Sequence, residues 1–212
     1  MRNTQRILAF LAIGCFGIVS AQNMKVLEIQ GGSFNPKGAR KAGLIFGANY
    51  GVCVDERIDL TLGLSLYRKS YSEETPVDSL VTGAGSNSVT VMNPLEYSTT
   101  IIPITASVTA HIPFQPPIGF YVGGSLAYEL LFDKYSNYRT GEKDSPKFNG
   151  FGWMARAGIE YKLGSRSSII AEGFYNGCTV KSDRKKINGM PSWQEVDLSG
   201  FGFKAGVRVE LY

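Results

Sequence analysis

Residues 153–163 alternate without a break. Trp153, Ala155, Ala157, Ile159, Tyr161 and Leu163 are apolar, and Met154, Arg156, Gly158, Glu160 and Lys162 interleave them. The same pattern returns at Ile58, Leu60, Leu62, Leu64 and Leu66, and again at Phe201, Phe203, Ala205, Val207, Val209 and Leu211. In each case the intervening positions, Met154 apart, carry charge, hydroxyl or glycine. A period of two marks a strand with one apolar face, and no helical period competes with it. Eight such strands are predicted, at 24–34, 42–54, 58–71, 95–112, 118–132, 150–163, 168–180 and 194–211. Their connections alternate. Residues 55–57, 113–117 and 164–167 are short turns, residues 72–94, 133–149 and 181–193 are long and polar, and 35–41 is intermediate. This rhythm predicts an all-β chain, an eight-stranded antiparallel up-and-down β-barrel whose two rims face different surroundings.

A soluble barrel would turn the apolar face inward, and a transmembrane barrel would turn it to lipid. Three features of the strands favour lipid. The loops are asymmetric. Gly43, Gly47, Gly51, Gly63, Gly119, Gly123, Gly152, Gly158, Gly202 and Gly206 share the charged face. In a narrow lumen packed with side chains, glycine there makes room for long Arg, Lys and Glu side chains. Finally, Trp153 and Tyr161 bracket one apolar stripe. Their separation corresponds to about 26 Å along a strand, or roughly 20 Å of membrane height at a tilt of about 40°. Phe46, Tyr50, Phe120, Tyr128, Tyr175, Phe201 and Phe203 fall on the same face.

The N-terminus adds a fourth argument. Arg2 and Arg6 precede an apolar run from Ile7 to Val19, and Val19-Ser20-Ala21 supplies a cleavage site. This predicts a signal peptide over 1–21 and a barrel domain over 22–212. The chain has 22 Lys+Arg and 18 Asp+Glu, and the signal holds two arginines and no acid, so the mature net charge is +2. The sequence pI of 8.9 therefore argues for no nucleic-acid partner. With 25 glycines, 12 Phe, 11 Tyr and 2 Trp, the chain is neither disordered nor collagen-like.

The chain resembles the small eight-stranded outer-membrane β-barrel family of the OmpA/OmpX type. The resemblance rests on Ile102-Pro103 with the alternation to Ile112, on Phe120-Tyr121-Val122-Gly123-Gly124, on Ala157-Gly158-Ile159-Glu160-Tyr161, and on Ala171-Glu172-Gly173-Phe174-Tyr175. It implies a monomer in the Gram-negative outer membrane, with lipids and lipopolysaccharide around it and adhesion, stabilising or minor channel roles. It also implies an aromatic terminal residue. Tyr212 supplies one, but Glu210 and Arg208 share its parity rather than Leu211, Val209 and Val207.

Candidate chemistry lies on the lumen parity. Glu28, Glu129, Glu160, Glu172 and Glu210 face Arg156, Lys162, Lys204 and Arg208 there. Buried charge needs a partner, so these nine predict an internal ion-pair network, with Arg156 meeting Glu129 or Glu172. Pro103 predicts a bulge or a missing ladder bond in the fourth strand. His111 is the only histidine, near the short-turn rim, with no orienting residue close in sequence for catalysis. One histidine and two separated cysteines predict no metal site, and no cofactor motif is present. Cys53 and Cys178 fall at opposite rims, which predicts two free thiols. Lys37, Arg40 and Lys41 in the first loop, and Lys181, Arg184, Lys185 and Lys186 in the last, are candidate contacts for lipopolysaccharide phosphates or another anion. The reading is a non-enzymatic barrel with a structural or surface-interaction role through its long loops, an extracellular protein or surface ligand being a candidate partner. A narrow pore or small-solute transporter is the second reading, and a lipid-modifying enzyme the third.

Overall fold

The computed structural model describes residues 24–37, 42–80, 88–137, 143–182, 185–187, 190–192 and 194–211, and within 71–97, 136–144 and 183–193 the backbone alone. The segment 1–21, Arg40, Lys41, Arg184 and Tyr212 lie outside the described residues.

Eight long strands form the wall: β1 (Lys25–Pro36), β2 (Gly43–Asp55), β3 (Ile58–Leu80), β4 (Ser88–Pro113), β5 (Ile118–Asn137), β6 (Lys147–Lys162), β7 (Ser167–Ser182) and β8 (Gly200–Leu211). Each pairs antiparallel with the next. β1 then pairs with β8 from Lys25↔Leu211 to Pro36↔Gly200, which closes the barrel. Closure removes the open edges a flat sheet of these strands would carry.

Alternation decides what each side meets. Leu44, Phe46, Leu62, Leu64, Val108, Leu126, Trp153, Ile159, Phe201 and Phe203 point outward and are exposed. A belt of that extent is a lipid-facing surface. Glu28, Asp59, Thr61, Thr109, Glu160, Glu172 and Arg208 point inward and are buried. β1 and β8 have 12 residues each, enough for about 30 Å of height at a tilt of about 40°.

Strands β3 and β4 have 23 and 26 residues, and reach about 55–65 Å by the same arithmetic. Their pairing continues to Leu80↔Ser88. Residues 72–80 and 88–94, expected in a polar connection, are thus a projecting ribbon. Their polar composition reads as loop, while Thr75, Val77, Val89, Thr90 and Val91 are β-branched and suit an extended chain. β5 likewise runs on to Asn137, and β6 starts at Lys147. The expected last strand divides: Glu195–Asp197 pairs back onto β7, and β8 begins at Gly200. Opposite Ile102 and Pro103 the β3–β4 pairing skips from Leu64↔Ile104 to Tyr67↔Ile101 with no shift of register, so the ladder lacks bonds there and is not bulged.

Three of the inward glycines, Gly43, Gly158 and Gly202, make room for rings rather than for long charged side chains. Tyr121 pairs with Gly158, and Phe174 pairs with Gly202. A Cβ on Gly158 would sit 2.6 Å from the Tyr121 ring, and one on Gly43 would sit 2.6 Å from Tyr67. Phe174 covers Gly202 in the same way. Two outward pairs repeat the arrangement: Trp153 over Gly177 and Phe46 over Gly31. Gly123 alone of these lies against a charged side chain, Arg156, its cross-strand partner. A ring laid over a glycine covers backbone that would otherwise be bare, and it pins register.

Candidate functional site in the barrel lumen

The lumen is filled in layers. Toward the long-loop end, Phe34, Ile45, Tyr67, Ile101, Leu131, Phe148, Phe174 and Val180 are buried and cluster together. The Phe34 ring meets Tyr67 edge-on at 5.6 Å and Phe174 at 5.4 Å between centroids. Each of these residues is inward by strand parity. The inward face is mainly polar in the short-turn half of the strands, Val26 and Ile170 apart, and mainly apolar in the long-loop half, Glu129 and Asn176 apart, a change that alternation over whole strands averages away.

Below this apolar layer lies a charged one. Arg156 Nη1 is 3.4 Å from Glu28 and 3.6 Å from Glu172, and its other amino group donates to Thr109. Asn49 donates to Glu28 at 2.8 Å, and the Tyr121 hydroxyl donates to Glu172 at 3.1 Å. Six strands contribute: β1, β2, β4, β5, β6 and β7.

A second cluster closes the short-turn end. Arg208 reaches Asp59 at 2.9 Å, Glu160 at 3.1 Å and Glu210 at 3.1 Å. His111 Nε2 is 2.8 Å from Asp59, and Nδ1 is 3.3 Å from Glu160. Ser168 donates to Glu160 at 2.5 Å. A carboxylate only accepts, so a carboxylate beside each ring nitrogen favours the doubly protonated, charged form of His111. The cluster floors a vestibule of about 300 Å³ that opens at the short-turn rim and includes Cys53, Lys162 and Glu210 in its lining.

The nine expected lumen charges therefore divide. Glu28, Arg156 and Glu172 come together in one cluster, and Glu160, Arg208 and Glu210 in the other. Glu129 does not meet Arg156. It is buried in the apolar half, and neither of its carboxylate oxygens has a hydrogen-bond partner. Lys204 is buried with its ammonium 4.5 Å from the Phe174 ring centroid, and none of the described ion pairs includes it. Lys162 is exposed at the rim, because β6 ends there. Alternation alone does not single out Asp59 and gives His111 no partner. Asp59 shares its parity with Thr61 and Gly63, a signal present in the sequence, but its partners His111 and Arg208 lie 52 and 149 residues away in the chain.

Cys53 and Cys178 are free, one in the vestibule and the other in the apolar layer. Among the described residues no group of three or more His, Cys, Asp or Glu could hold a metal ion. On the long-loop rim, Lys37 pairs with Asp197 at 3.7 Å and Lys181 with Glu195 at 2.7 Å. Hydrogen bonds from Ser199, with Lys37 nearby, hold the Asp197 carboxyl below its usual range. Lys185 and Lys186 lie on a short strand, Lys185–Ile187, paired with Met190–Ser192, and their side chains lie outside the described residues.

No family model matches the chain, and no curated protein matches it. Solved structures do. Outer membrane protein OprG from Pseudomonas aeruginosa superposes with a TM-score of 0.59 at 12% identity, over 90% of this chain and 96% of that one. Neisserial surface protein A gives a TM-score of 0.56 at 14% identity, over 88% and 96%. A major outer membrane protein from Thermus thermophilus gives 0.55 at 10% identity, over 88% and 99%. The chain thus has the fold of the small outer-membrane β-barrels, an eight-stranded antiparallel transmembrane barrel.

Proposed function

We propose that the protein is a sealed, non-enzymatic barrel of the outer membrane that acts through its exposed face. The observation that carries this reading is the double closure of the lumen. An apolar layer around Phe34, Tyr67 and Phe174 lies across one half, and two paired charge clusters fill the other. Ion passage requires displacing both, and breaking a buried pair on one side leaves an uncompensated charge.

The polar residues are committed to structure. His111 has a carboxylate on each ring nitrogen, so neither nitrogen is turned toward a substrate as a base. Ser107 accepts from Ser125, and Thr109 accepts from Arg156, so neither is set against the histidine as a nucleophile.

What remains available is the long-loop rim, above all the β3–β4 ribbon. Residues 71–97 include Glu73, Glu74, Asp78 and Glu96 and no Lys or Arg. The basic candidates Lys37, Arg40, Lys41, Arg184, Lys185 and Lys186 belong to the β1–β2 and β7–β8 connections, and Lys181 lies at the long-loop end of β7. The reading gives the two sides different work, the basic loops meeting lipopolysaccharide phosphates and the acidic ribbon reaching past them to an external surface.

The test is a ribbon cut back to Ser72 and Glu96, which are paired, and rejoined by an Asn-Gly turn. Cells carrying either form are compared for attachment to polycation-coated and dextran-sulfate-coated plates. The reading expects the shortened form to fold and to lose attachment to the polycation. Unchanged attachment to both surfaces contradicts it.

A further inference from the structure

The short-turn cluster holds more connections than filling a lumen requires. Asp59 on β3 and Glu160 on β6 are each held twice, by His111 from β4 and by Arg208 from β8. The four side chains form a closed ring of ion pairs across the barrel, with distances of 2.8, 2.9, 3.1 and 3.3 Å. One member titrates near neutral pH in its free state, and it is the only histidine in the chain.

We propose that this ring is a proton-operated latch on the short-turn mouth. With His111 charged, both nitrogens donate and β4 is tied to β3 and β6. When the ring loses a proton, one nitrogen becomes a lone pair facing a carboxylate, and that contact turns repulsive. Asp59, Glu160 and Glu210 then rest on the single guanidinium of Arg208. The link between β4 and β6 opens, and the vestibule deepens toward the Arg156 cluster. The apolar layer beyond stays shut, so the latch changes the shape of the mouth and not the permeability of the barrel.

The groups facing His111 are Asp59 from β3, Glu160 and Lys162 from β6, Arg208 and Glu210 from β8, Cys53 from β2, and the Tyr121 ring from β5 at 5.9 Å, with Asp55 at the end of β2 and Glu56 and Arg57 of the β2–β3 turn also lining the vestibule. Arg208 opposes the charge on the imidazole, and the carboxylates support it. The His111 amide also donates to the Arg57 carbonyl at 2.7 Å, which fixes the backbone from which the ring projects.

Because there is one histidine, its ring can be read directly. The full barrel, refolded in detergent with isotope-labelled histidine, is titrated by NMR while backbone hydrogen exchange is followed. Wild type is compared with His111→Gln and with Glu160→Gln. The latch expects protection factors at the rim amides of Asp59, His111, Glu160 and Arg208 to fall about tenfold or more as the ring deprotonates. Amides in the middle of the strands keep theirs. His111→Gln shows low and pH-independent protection at the rim, and Glu160→Gln moves the ring titration. Rim protection that stays constant across the ring titration overturns the proposal. So does a fall of the same size, at the same pH, in His111→Gln.

Discussion

Tyr121 lies directly across from Gly158, its ring in the space a Cβ on that glycine would fill, 2.6 Å from the ring carbon and from the hydroxyl oxygen alike. The same hydroxyl donates to Glu172 at 3.1 Å. One residue thus joins the packing of the wall to the charged layer. Gly158→Ala should cost about 1–3 kcal/mol by overpacking. Urea unfolding in detergent measures it. The Ala171 carbonyl oxygen lies 2.5 Å from the same Cβ position and stays there when Tyr121→Leu is added, so the double change should recover only the part of the loss due to the ring. Additive penalties would mean that the ring and the glycine are independent.

Arg156 and Lys204 are both buried lumen cations, yet they should respond oppositely to removal. Arg156→Ala strands Glu28 and Glu172 and should destabilise the barrel by about 3–5 kcal/mol. Lys204→Met gives up a cation–π contact with Phe174 and relieves the burial of a charge, so stability should change little or rise. Equal losses from the two substitutions would show that Lys204 has an ionic role equivalent to that of Arg156.

Glu129 offers a contrast within the carboxylates. Its oxygens have no partner in the apolar half of the lumen. Glu129→Gln keeps the shape and removes the capacity for charge, and should leave the unfolding midpoint unchanged or raised. Glu172→Gln, which weakens the contact with Arg156, should lower it. A larger loss from Glu129→Gln than from Glu172→Gln would contradict this placement.

The Asp197 carboxylate at the rim should respond to acid. Hydrogen bonds from Ser199 are the main cause of its lowered folded-state value and Lys37 is a lesser one, so this hold contributes above the usual carboxylate range and is lost as pH falls below it. Protease nicking of the segment 194–199 should therefore quicken on acidification in wild type. In Ser199→Ala, which removes the side-chain hydrogen bond, it should be quicker at neutral pH and respond less, and Lys37→Ala should have the smaller effect of the two. Identical profiles in wild type and Ser199→Ala would remove this hold from the account.

Most of the wall was legible from alternation, because one lipid face and one filled lumen impose a strict period of two. The pattern at 153–163 reads correctly residue by residue. What alternation could not show is vertical. Phe34, Ile45 and Phe174 share the inward face with Glu28, Asn49 and Glu172, and only height in the barrel separates a seal from an ion-pair cluster. Nor could it pair partners across the lumen. Asp59, His111, Glu160 and Arg208 come from four strands, and no spacing in the sequence records that they meet. Alternation places the glycines on the proper face, and Gly123 lies against Arg156 as expected, but it does not show which neighbour each glycine has. Rings, not long charged side chains, occupy the space over Gly43, Gly158 and Gly202.

The claim that the barrel is sealed is tested most directly by single-channel recording of the refolded protein in planar bilayers, wild type beside Arg156→Ala. With the apolar layer intact in both, neither should conduct. Discrete openings in the wild type, altered in size or frequency by Arg156→Ala, would show that the lumen is a pore gated by its charges and contradict the account.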